Sequence, residues 1–71
     1  MTVVIEQYET DKYYVEIAIE NRYGNNIYVV QICHRFDSGL CGFPINKMVY
    51  SIDEKKKAYA TYRRYIRKYC K

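Results

Sequence analysis

The stretch SIDEKKKAYATYRRYIRKYCK, residues 51–71, has a different period from everything before it. At 3.6 residues per turn, Ala58, Tyr59, Tyr62, Tyr65, Ile66 and Tyr69 fall in one stripe, the spacing of a helix docked on another layer. Ser51 and Glu54 stand three apart, as in a capping box where the Ser hydroxyl accepts a free backbone N–H and the Glu side chain reaches back. A helix is therefore expected to begin near Ile52 or Asp53. No Gly or Pro interrupts the chain from there to its end, so the helix should run over about 52–70.

Working back from that helix, the period drops to two. Tyr13, Val15, Ile17 and Ile19 alternate with Tyr14, Glu16, Ala18 and Glu20, a half-buried strand over 13–20 with an acidic outer side. Asn21 to Asn26 holds Gly24 and three Asn, which tolerate positive φ, and reads as a hairpin loop. Beyond it, 27–36 carries large apolar groups on both faces and is the best candidate for a central strand. The β-branched run at about 2–8 makes a first strand, closed by the polar turn Glu9–Lys12. Asp37 to Asn46 holds two of the three Gly and the only Pro, so a connecting loop is expected, anchored by Leu40, Phe43 and Ile45, with a short fourth strand at 47–50. The class is α+β: a three- to four-stranded antiparallel meander packed against one C-terminal amphipathic helix, all in a single domain, 1–71.

A chain of 71 residues has a small core and no room for a deep catalytic cleft. Much of its apolar surface comes from ten Tyr, with two Phe and no Trp, side chains that sit well at a wet core edge. Met1–Glu6 has neither the basic lead nor the apolar run of a signal peptide, and nothing approaches the roughly 20 apolar residues that cross a bilayer. A cytoplasmic location and reduced thiols for the three Cys are the expectation.

Charge is the strongest compositional signal. Residues 1–37 carry six acids and three bases, and residues 38–71 two acids and nine bases. On the helix the arc opposite the Tyr stripe holds Lys56, Lys57, Arg63, Arg64, Arg67, Lys68 and Lys71, flanked by Thr61, with no acid beyond the first turn. Part of this complements the helix dipole, and Lys and Arg also fill the solvated side of any surface helix. A merely solvated helix usually mixes in Glu, however. Here like charges stand at 63/67, 64/68 and 67/71, each pair costing a few tenths of a kcal/mol. These seven residues are the candidate partner-binding face, for phosphates or an acidic protein surface, and the forked Arg donors suit both. The stripe is too poor in Leu, Phe and Trp to enter a lipid surface. Tyr14, Tyr23 and Tyr28, on strands or a loop, are candidate secondary contacts by stacking, with cross-strand packing as the plainer role. Glu6, Glu9, Asp11, Glu16 and Glu20 read either as an opposed negative patch or as ordinary polar alternation.

Catalysis has no support in the pattern. Cys33, His34, Cys41 and Cys70 have the atoms of a zinc site but not its spacing, since adjacent strand residues face apart and no Cys-x-x-Cys pair nucleates coordination. His34 lacks a nucleophile and an orienting partner. Gly24, Gly39 and Gly42 match no phosphate-loop fingerprint. No catalytic residue, metal or cofactor is expected, and the chain is read as a non-enzymatic macromolecular binding module.

In type, a very short, Tyr- and Lys-rich single domain without an enzyme signature resembles the small inhibitors that phages and mobile elements encode, anti-CRISPR proteins among them. The resemblance covers no aligned stretch. It implies inhibition of a host nucleic-acid-processing complex of the CRISPR nuclease type, by occupying a binding surface in the host cytoplasm. The basic helix departs from acidic DNA-mimicking members and favours contact with guide RNA or an acidic protein face. A protein or ribonucleoprotein is then the expected partner, with no membrane. Two other readings stand beside it: a small nucleic-acid-binding or transcription-regulating protein, and a self-assembling structural subunit such as a homodimer.

Overall fold

The structure, a computed structural model, describes residues 2–36 and 41–70, leaving aside the side chain of Phe43. Four strands, β1 (Thr2–Glu9), β2 (Tyr13–Arg22), β3 (Asn25–Arg35) and β4 (Cys41–Ser51), form one antiparallel sheet in the order β1-β2-β3-β4, followed by α1 (Lys55–Tyr69). The expected α+β meander with a C-terminal helix is the observed fold. β2 and β3 are the interior strands. Their hairpin is tighter than the sequence suggested, because pairing runs to Arg22 and Asn25 and leaves only Tyr23 (φ 52) and Gly24 (φ 80) in the turn. Two positive-φ residues make the type I′ geometry whose twist matches the strands it joins.

One face of the sheet is dry. Val15, Ile17, Tyr28, Val30 and Ile32 pack with Ala58, Tyr62 and Tyr65 of the helix, and Tyr13, Ile19, Tyr50, Tyr59, Ile66, Tyr69 and Cys70 border this core. The alternation on 13–20 is therefore correctly phased, and the Tyr stripe holds the helix down. Thr61 is a correction. Placed by sequence on the flank of the basic arc, it is 3% exposed and shares a 2.6 Å hydroxyl–hydroxyl hydrogen bond with Tyr50, which supplies its partner inside the core.

Two boundaries differ from expectation. The segment read as a loop at 41–46 is strand, so β4 is eleven residues long rather than four. Pro44 is tolerated because β4 is an edge strand with one ladder side unpaired, and irregularities at Ile32/Cys33 and Cys33/Arg35 break the period-two pattern that would have revealed it. Ile45 is 38% exposed and anchors nothing, while Leu40 lies outside the described residues. The helix begins two or three residues later than expected, with Glu54 as its N-cap. The Glu54 carboxylate does reach back to accept from the Ser51 backbone N–H at 3.2 Å, but the Ser51 hydroxyl donates to Asp53 and Glu54 instead of accepting from the helix. Only half of the capping box forms.

The helix lies over β2, β3 and β4. β1 is left bare. All eight of its residues are exposed, with Val3 at 56%, Val4 at 44%, Ile5 at 37% and Tyr8 at 39%. A bulge between Val4 and Glu6 makes Ile5 the extra residue. On the helix-free face the register places Val4, Ala18, Val29 and Val49 in one apolar row across all four strands.

Candidate binding face on the helix

Helix periodicity and the fixed docking of the Tyr stripe decide where the cations point. Lys56, Lys57, Arg63, Arg64, Arg67 and Lys68 are all exposed, as is Lys55, while Lys71 lies outside the described residues. They do not form a single line. Arg64 and Lys68 overhang β4, lining a hollow with Asn46, Met48, Tyr65 and Tyr69. Arg63 and Arg67 stand on another flank around Ala60 and the half-buried Ile66, in a shallow depression of about 380 Å³. Toward the helix start, Lys55, Lys56 and Tyr59 continue that flank from Arg63. The face is thus two cationic ridges, which helical spacing alone did not reveal, because the split depends on how the helix sits on the sheet.

Few of these charges are neutralised. Among the described residues the one ion pair on the helix joins Lys57 to Glu54 at 3.2 Å, exposed and worth little. Arg64 donates to the Thr61 hydroxyl at 3.3 Å, and Lys55 and Lys68 lie over the rings of Tyr59 and Tyr69 at 5.9 and 5.5 Å. Those contacts orient side chains without cancelling charge. Arg63 and Arg67, one turn apart, are left facing solvent with their forks available for anionic oxygens.

The secondary candidates separate. Tyr28 is a correction: it is 6% exposed, its ring edge-on to Tyr59 at 6.5 Å, and belongs to the core. Tyr14 is half-buried on the helix-free face and donates its hydroxyl to Gln7 at 2.8 Å; burial first, then the Glu16 carboxylate, pushes its ionisation upward. Tyr23 is fully exposed at the hairpin tip. Its φ of 52 is costly for a side chain with a bulky ring, and residues held this way cluster at functional turns.

The N-terminal acids are partly engaged. Glu16 accepts from Gln31 at 2.7 Å, Glu20 pairs with Arg22 at 3.2 Å, and Glu9 lies 3.7 Å from Arg35. The register puts Glu9, Glu16 and Glu20 on the helix-free face and Glu6 on the helix side. Cys33 and His34 face apart, Cys33 buried and His34 stacked on Tyr13 at 5.4 Å. Burial, with Cys41 and Glu16 adding to it, pushes the Cys33 thiol up and away from the reactive thiolate. Among the described residues no three His, Cys, Asp or Glu side chains converge as metal ligands, and no helix is long and apolar enough to cross a membrane. Comparison with known proteins finds no family model, no curated protein and no solved structure that matches the chain.

Proposed function

We propose that the protein is a non-enzymatic binding module that presents the outer face of α1 to an anionic macromolecular surface, and that it acts as an inhibitor occupying such a surface on a nucleic-acid-processing complex of the CRISPR nuclease type. One observation carries the reading. Among the described residues, Lys56, Arg63, Arg64, Arg67 and Lys68 are exposed on one helix with no acidic partner. A helix serving only solubility gains by mixing signs along its exposed face, and this one forgoes that gain. Tyr23 at the hairpin tip is the secondary contact that backbone strain favours.

A second reading, direct binding to DNA or RNA phosphates, is favoured by the forked donors of the Arg63 and Arg67 ridge. A single set of variants tests both. Reversing Arg63, Arg64 and Arg67 to Glu is expected to leave the circular dichroism and thermal melt unchanged, since none of the three is buried. It should abolish capture of the partner complex from host lysate. If plain duplex DNA is the target, the same change removes about three counterions' worth of salt dependence. Capture that survives nuclease treatment supports the inhibitor, and capture lost with the nucleic acid supports direct binding. Undiminished capture by the triple variant would overturn both.

A further inference from the structure

The free edge of β1 has a pattern that fits its own copy. Direct cross-strand partners share a face, so pairing with β2 assigns Val3, Glu6 and Tyr8 to the helix side and Thr2, Val4, Gln7 and Glu9 to the other. In a regular eight-residue strand, residues 3 and 8 would face opposite ways. Two copies related by a twofold axis normal to the sheet then could not pair along their whole length. The bulge at Ile5 shifts the alternation by one. Antiparallel self-pairing over the full strand now sets Val3 against Tyr8, Val4 against Gln7 and Thr2 against Glu9, each of these matched in face, with the bulge residue Ile5 and Glu6 meeting at the axis.

The two edges of the sheet are not equivalent. β4 carries Pro44 and Lys47, residues that discourage strand addition at an edge. β1 has no Pro and no Lys, and its apolar side chains are bare on both faces because α1 stops short of it. We propose that β1 pairs with β1 of a second copy, making a symmetric dimer with a continuous eight-stranded sheet. The Val3–Tyr8 contacts, a β-branched residue against an aromatic ring, close over the strand pair on the helix side. Glu9 meets Thr2 rather than another acid. Glu6 of each copy stands beside the axis, the one like-charge approach. A twofold axis normal to the sheet keeps both helices on the same side, so the dimer displays two basic helices flanking the paired strands. The inference stands independently of what those helices bind.

Pairing through one eight-residue strand is a small contact beside the roughly 800 Å² per partner of a standard interface, so association is expected at high micromolar concentration. Sedimentation equilibrium of the full chain should show a concentration-dependent dimer. Val3→Lys or Tyr8→Lys, both at exposed positions, should return the monomer with an unchanged circular dichroism spectrum. Val49→Lys, on the opposite edge, should leave the dimer intact, and Glu6→Gln should raise the dimer fraction at fixed concentration. With Cys41 and Cys70 replaced by Ser, the pair Thr2→Cys and Glu9→Cys together should cross-link into a covalent dimer under mild oxidation, whereas either change alone should not. A monomer at the highest soluble concentration overturns the proposal. So does a dimer that survives Val3→Lys and Tyr8→Lys but is lost with Val49→Lys.

Discussion

Tyr65 is 4% exposed and, among the described residues, its hydroxyl is a buried polar group without a hydrogen-bond partner. Such a group forfeits its bond to water and gains nothing in exchange. Tyr65→Phe is therefore expected to leave stability unchanged or raise it by up to about 1 kcal/mol in a urea melt. A loss of more than that would mean the hydroxyl has a partner. Thr61 is the opposite case, a small polar residue whose hydroxyl is satisfied by Tyr50. From the sequence Tyr65 belonged to the apolar stripe and Thr61 to the flank of the basic arc. Which one found a partner depended on where β4 passed beneath the helix, and nothing local reports that.

For single elements, legibility followed regularity. β2 and, Thr61 apart, the inward face of α1 were readable residue by residue, because alternation and helical spacing run through them unbroken. β4 was not: Gly42 and Pro44 look like a loop until an edge position excuses the missing N–H. The start of the helix slipped for a similar reason, since Ser51 stayed in β4 and passed the cap to Glu54. The Glu54 side chain makes no bond to the free N–H groups of the helix, yet its contacts with Ser51 and Lys57 give the helix start a defined pH dependence. Hydrogen bonds from the Ser51 backbone N–H, then from its hydroxyl and from Lys57, hold the Glu54 carboxyl below its ordinary value of 4.5. A depressed carboxyl contributes stability that is present above pH 4.5 and is lost as the pH falls through the folded value. In acid titrations followed by helical ellipticity, Glu54→Gln should remove that component and lower stability at neutral pH. An identical acid profile for the variant would show that the Glu54 contacts contribute nothing.

Over the whole molecule, exposure of the basic residues was legible from the sequence, but their division into two ridges and the bareness of β1 were not, because both depend on the lateral placement of the helix over the sheet. The Tyr-rich core also gives the protein an alkaline limit. Burial is the main cause that raises the ionisation of Tyr62 and Tyr65 above the usual 10.0, with Glu6 adding to the first and Tyr50 to the second. Groups whose folded values are raised contribute stability that is complete below about pH 10 and is lost as the pH climbs through the folded values. Thermal melts should therefore fall steeply above pH 10, in step with tyrosinate absorbance. Tyr65→Phe should soften the decline, and a melting temperature indifferent to pH up to 12 would be at odds with ionisable rings in the core.

The order of elements bears on how the chain reaches this state. Every strand pairs with its neighbour in sequence, so contacts within the sheet are local and inexpensive in loop closure. Ala58, Tyr62 and Tyr65, which pack over Val15, Ile17, Val30 and Ile32, belong to α1, which the ribosome delivers after the complete sheet. Until it arrives, a paired sheet with one apolar face stands open to solvent. That interval, rather than the formation of the strands, is when the nascent protein is most exposed to sticking to its neighbours.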